Sequence, residues 1–120
     1  MNKEQALHAF WAGFGLPAYD ENSVPDTAAL PYITYEVTSD DFGNTVALTA
    51  SLWYRSTSWE DITVKEQQIA DFIGRGGRMV AFTGGAMWIR KATPWAQRMA
   101  DESSDTIRRI VLNIMVEYMD

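Results

Sequence analysis

Apolar positions near the start of the chain recur at a helical interval. Leu7, Phe10, Trp11 and Phe14 stand at offsets 0, 3, 4 and 7, which places them on one stripe of an amphipathic helix. Asn2 and Gln5 have the spacing of a capping pair at its start, and Gly13, Gly15 and Pro17 mark its end. Residues 18–31, rich in acids, Pro and Ala, predict an irregular connection. Residues 32–37 read as a short strand of aromatic and β-branched residues. After the turn chemistry of 39–44, residues 45–55 alternate well. Val46, Leu48, Ala50, Leu52 and Tyr54 face one way, and Thr45, Thr49, Ser51 and Arg55 the other. That pattern predicts a half-buried strand paired with its predecessor as a hairpin.

Thr57 and Glu60 have capping-box spacing, with Asp61 adding charge to the first turn of a helix that presents Ile62, Ile69, Phe72 and Ile73 and stops at Gly74. Residues 78–82 and 86–92 flank Thr83-Gly84-Gly85, a hairpin signal. Residues 93–105 predict a loop led by Pro94, with Trp95 and Met99 as exposed apolar residues. The last strand, 106–118, turns Ile110, Leu112, Ile114, Val116 and Tyr118 to one face. Its other face carries Arg109, Val111, Asn113, Met115 and Glu117, which is only half polar. A strand apolar on one face and half apolar on the other predicts cover by a helix or by another subunit. The element order predicts an α+β fold: a mainly antiparallel sheet of about five strands with two helices packed on one side. Residues 1–120 form a single domain in this reading, without repeat or linker.

Charge adds a polarity. The formal net charge is −6. Residues 1–50 hold one cation, Lys3, against seven acids, and so carry all of it, whereas 51–120 balance at nine of each sign. Residues 72–100 contain Arg75, Arg78, Arg90, Lys91 and Arg98 and no acid. An acidic protein is poorly suited to gripping phosphates, so sequence-specific nucleic-acid binding is disfavoured. The absence of cysteine removes disulfides, thiolate metal sites and cysteine nucleophiles. The N-terminus lacks the long apolar block of a signal peptide, and no apolar run is long enough to span a membrane. Synthesis in a cytoplasm as a soluble protein is the expectation.

No motif announces chemistry. Gly74-Arg75-Gly76-Gly77 follows a helix and precedes a strand, the reverse of a phosphate loop, and reads as a helix cap and turn. His8 is the single histidine, beside the apolar stripe, with no second ligand or orienting partner nearby in sequence. The acid pairs Asp20-Glu21, Asp40-Asp41, Glu60-Asp61 and Asp101-Glu102 lack the spacing of a calcium loop and point apart as catalytic pairs. The serines after Arg55 lack a nucleophile-elbow turn. No catalytic residue, cofactor site or metal site is therefore expected. A small ligand-binding or enzymatic domain using the tryptophans and acidic loops is the alternative from another class. Trp95, beside Pro94, Arg98 and Met99, consists of residue types enriched at protein interfaces.

Several segments together resemble the tail-terminator, or tail-completion, proteins of long-tailed bacteriophages. They are LPYITYEV at 30–37, SLWYRSTSWEDI at 51–62, GAMWIRKATPWAQRMAD at 85–101 and TIRRIVLNIMVEY at 106–118. The resemblance implies a non-enzymatic virion protein, made in the host bacterial cytoplasm and located at the head-proximal end of the tail. There it would form a ring, commonly a hexamer, that caps the tail tube, stops its polymerisation and offers a docking surface for the head. Its implied partners are copies of itself, the tail-tube protein and a head-completion or connector protein, with DNA passing through the channel unread. A head-closure, neck or other minor tail protein is the alternative within the same setting. Combined with the charge map, this makes Arg90, Lys91, Trp95, Arg98, Met99, Asp40 and Asp41 the expected interface residues.

Overall fold

The computed structural model describes residues 1–38, 44–99 and 105–119. Helix α1 (Lys3–Ala12) begins on the expected capping box: the Gln5 N–H donates to Asn2 Oδ1 at 2.8 Å and the Asn2 N–H to Gln5 Oε1 at 3.0 Å. Its stripe of Leu7, Phe10 and Trp11 is buried, and Phe14 continues it past the helix end. Strands β1 (Ala18–Asp20), β2 (Tyr32–Tyr35) and β3 (Thr45–Arg55) follow, then helix α2 (Glu60–Ile73) and strands β4 (Arg78–Phe82), β5 (Gly85–Met99) and β6 (Ile107–Met119). They form one six-stranded sheet in the order β1-β2-β3-β6-β5-β4. Every pairing is antiparallel except β1 with β2. The last strand thus inserts between the two hairpins. The α+β class stands, with six strands in a mixed sheet rather than about five.

Three local expectations are corrected. The stretch 18–31 contains β1, held on β2 by the Ile33 N–H to Pro17 O at 2.8 Å and the Glu21 N–H to Tyr35 O at 2.9 Å. Three residues are too few to show a periodicity, and parallel pairing is a tertiary event. The loop expected from residue 93 is strand as far as Met99. A register shift between Lys91 and Ala96 accommodates Pro94, as a bulge can where a prolyl ring interrupts a ladder. β4 pairs β5 only from Gly85 to Ile89, so Pro94 lies where β5 is itself an edge. Finally, Thr57 and Glu60 do not form a capping box. Trp59 occupies the cap position without a side-chain bond, and Ser58 Oγ accepts the Glu60 N–H at 3.0 Å instead.

The alternation read from the sequence decides where the core lies. Leu48, Ala50 and Leu52 of β3 pair with Ile114, Leu112 and Ile110 of β6, all at most 4% exposed. Ile33, Tyr35, Met87 and Ile89 extend this face, and both helices pack on it through Leu7, Trp11, Ile62 and Ile69. Phe10, Phe14 and Phe72 join the helices, Phe14–Phe72 edge to face with centroids 5.4 Å apart and Phe10–Phe72 tilted at 6.2 Å. The molecule measures 44 × 31 × 23 Å.

Candidate interaction surface

Because side chains alternate along each strand, the register that buries one face assigns the residues of the other. On β6 and β3 the facing pairs are Glu117–Thr45, Met115–Ala47, Asn113–Thr49, Val111–Ser51 and Arg109–Trp53. β5 adds Trp88 opposite Glu117, Arg90 opposite Met115, Gln97 opposite Val111 and Met99 opposite Arg109. β4 adds Met79 opposite Trp88. Both helices pack on the other side of the sheet. The half-apolar face of 106–118 is therefore covered neither by α1 nor by α2.

Two tryptophan–arginine stacks organise this open face. The Arg90 guanidinium lies 4.1 Å from the Trp88 ring centroid, and that of Arg109 lies 4.6 Å from the Trp53 ring centroid. Each ring is pinned by its own N–H. Trp53 Nε1 donates to Thr34 Oγ1 at 2.9 Å and Trp88 Nε1 to Gly76 O at 2.7 Å. Arg109 Nε donates to Ser51 Oγ at 3.1 Å, whereas the buried Arg90 Nε has no hydrogen-bond partner among the described residues. Glu36, at the margin, accepts from the Thr49 N–H at 2.7 Å and from the Thr49 hydroxyl. Three arginines (Arg55, Arg90, Arg109) and two carboxylates (Glu36, Glu117) thus surround an apolar strip of Met115, Val111 and Ala47.

The residues expected at an interface are dispersed by the fold. Arg90 and Met99, the latter 41% exposed, lie on the open face. Lys91 is half-buried opposite Ile114, at the start of the register shift. Arg98 stands opposite Ile110 and reaches over Trp59, 4.8 Å from its ring centroid. Asp40 and Asp41 lie outside the described residues. Trp95 is not an exposed loop residue. It is half-buried against the core, and its Nε1 donates to Glu66 Oε1 at 2.8 Å, tying β5 to α2. Trp95→Ala should therefore lower the stability of the isolated subunit by about 2 kcal/mol, with Met99→Ala near zero. Thermal unfolding of the two variants checks this contrast. Trp53 and Met79 escaped the sequence reading, although the alternation of 45–55 held part of the signal, whereas Arg109 was already placed on the half-apolar face of 106–118.

The remaining polar features are structural. His8 is exposed, and its Nδ1 lies 2.9 Å from the hydroxyl of Tyr35. Burial, then the charges of Asp20 and Glu4, hold the Tyr35 phenol above its ordinary range. Burial and Asp61 do the same for Tyr54. A raised folded-state value favours the neutral phenol, so this contribution is complete below about pH 10 and is lost as pH rises through the folded-state value. Melting temperature should hold to about pH 10 and then fall, less steeply in Tyr35→Phe. A cleft of about 520 Å³ opens between the start of α1 and the ends of β4 and β6, where Lys3 Nζ sits 5.0 Å from the Tyr118 ring centroid. Among the described residues no three His, Cys, Asp or Glu side chains gather as a metal site, and no helix is long and apolar enough to cross a membrane.

No family model and no curated protein matches the chain. Two solved structures share its fold. One is a chain in the virion of a native gene transfer agent particle, 18% identical, with a TM-score of 0.65 over 98% of this chain and 91% of that one. The other is 9% identical, with a TM-score of 0.61 over 98% of this chain and 90% of that one.

Proposed function

We propose that the chain is a non-enzymatic structural protein of a phage-like virion, and that it acts as a tail terminator. Copies assemble into a ring, hexameric and about 82 kDa for a 13.6 kDa subunit, on the head-proximal end of the tail tube. The ring blocks addition of further tube subunits and presents a surface to the head-completion or connector protein, while DNA passes through its channel unread. The observation that carries this reading is the end-to-end likeness to a virion chain, with almost nothing left over on either side. The sequence resemblance to tail terminators supplies the finer role. The uncovered sheet face adds support, because a half-apolar face with stacked arginines suits a subunit contact better than open water.

In this reading Arg90 and Met99 belong to subunit contacts, with Lys91 and Arg98 at the margin and Asp40 and Asp41 as acidic counterparts. An acidic subunit also suits a channel through which DNA must slide without sticking. Purified protein added to polymerising tail-tube subunits should halt elongation at once, giving short capped tubes in negative stain. Continued elongation at a saturating excess would refute the capping role.

A further inference from the structure

The open sheet face and the outer face of α2 lie on opposite sides of the subunit, and their chemistry is reciprocal. α2 carries Glu60, Asp61, Glu66 and Asp71 against one cation, Lys65. Lys65 is already engaged, donating to Phe14 O at 2.7 Å and to Gln68 Oε1 at 2.9 Å. Among Glu60, Asp61 and Asp71 stands one exposed apolar side chain, Val64 at 63%, whereas Phe72 packs sideways on Phe10 and Phe14 under the Arg78 guanidinium, and Glu66 is held by Trp95. The sheet face has Met79 at 57% and Met99 at 41% exposed, beside Arg55, Arg90 and Arg109. Three of the five large hydrophobic residues exposed among those described therefore sit on these two faces, Val64 on one and Met79 and Met99 on the other. Acids surround Val64, and on the sheet face three arginines outnumber the two carboxylates, Glu36 and Glu117.

We propose that the open sheet face of one copy docks on the outer face of α2 of a second copy. The occupant is a second copy because the same chain supplies both halves of the match, apolar to apolar and cation to anion. Two different faces on opposite sides make the contact heterologous. Each copy then gives one face and receives the other, so copies add head to tail and close into a ring or continue as a filament. The Arg90 guanidinium, stacked on Trp88 at 4.1 Å, then faces a carboxylate of the neighbour. Exposed charges are individually weak, but they fix the partner and the register while the apolar side chains are buried between them. This inference rests on the ring reading and specifies which surfaces meet within it.

Charge exchange tests it. One variant reverses the sheet face (Arg55→Glu with Arg90→Glu), a second reverses the helix face (Glu60→Lys with Asp71→Lys), and a third combines all four changes. Sedimentation velocity of folded protein, verified by circular dichroism, should show wild type self-associating and each double variant alone at least tenfold weaker. Association should return in the equimolar mixture of the two and in the fourfold variant. Val64→Arg should also weaken association at least tenfold and Val64→Glu far less. This pair keeps the test decisive if the arginine changes disturb folding, because Val64 is exposed. Double variants that associate as wild type, or a mixture that fails to restore association, overturn the proposal. So does a wild-type chain that is monomeric at its highest soluble concentration. The capping role is read independently from tube elongation. A protein that halts tubes while its double variants still self-associate therefore loses this interface and keeps its function. If sheet-face reversal abolishes capping but not self-association, the face receives the tube protein instead, and the proposal falls.

Discussion

Gly77→Ala should cost about 3 kcal/mol or more and lower the melting temperature by about 10 °C or more. Gly77 has φ +81°, in the left-handed region that L side chains avoid. A Cβ there would also lie 2.5 Å from Ile89 O, 2.6 Å from Trp88 Nε1 and 2.8 Å from Arg90 Cγ. Trp88 can move only by giving up its bond to Gly76 O, and the Ile89 carbonyl belongs to a strand paired on both sides. The adjoining Gly76 is the control: a Cβ there would have no neighbour within 4 Å, so Gly76→Ala should be nearly neutral. Thermal and urea unfolding of both variants measure the difference. Because Gly77 abuts the Trp88–Arg90 stack, its replacement should disturb the open face as well as the fold.

Trp11→Ala should be the other severe variant, costing about 3–5 kcal/mol. Trp11 is 1% exposed and packs edge to face on Phe10, with centroids 4.9 Å apart. Its loss leaves a cavity among α1, the sheet and the phenylalanines that join the two helices. A domain of this size is stable by only about 5–15 kcal/mol, so the variant should be close to unfolding at 37 °C. A melting temperature within 3 °C of wild type would show that this corner of the core relaxes far more than its packing implies.

The parts of the fold that were legible are those whose information is local. β3 was bounded at both ends because apolar residues at every second position from Val46 to Tyr54 have a single strand reading. Asn2 and Gln5 announced the start of α1, and Gly74, at φ +69°, announced the end of α2. What failed depended on contacts distant in sequence. β1 exists only because β2 is beside it. β5 continues past Pro94 because β6 holds Ala96 to Met99 in register, overriding a residue that normally ends a strand. At the start of α2 the cap position falls to Trp59 rather than Thr57, and the Ser58 hydroxyl accepts the Glu60 N–H, because neighbouring hydroxyls offer the backbone competing local bonds.

The interaction surface was half legible for the same reason. The mixed face of 106–118 stood out in the sequence and remains uncovered by the helices. Which residues share it follows from register. Trp53 and Arg109 are remote in sequence but directly opposite across the β3–β6 ladder. Arg90 and Arg98, close in sequence and grouped by charge, point to opposite faces. A charge count along the chain cannot resolve a period of two. Trp95 misled because a tryptophan beside a proline resembles a loop anchor, whereas Glu66 fixes it to α2.

The central claim is that this small subunit ends tail growth, and tail length measures it most directly. Electron microscopy should compare particles assembled with the protein, without it, and with it restored in trans. The account predicts tails of one length with it, tubes of variable and excessive length bearing no heads without it, and recovery of both length and head attachment on restoration. Tails of normal, uniform length in its absence would contradict the account.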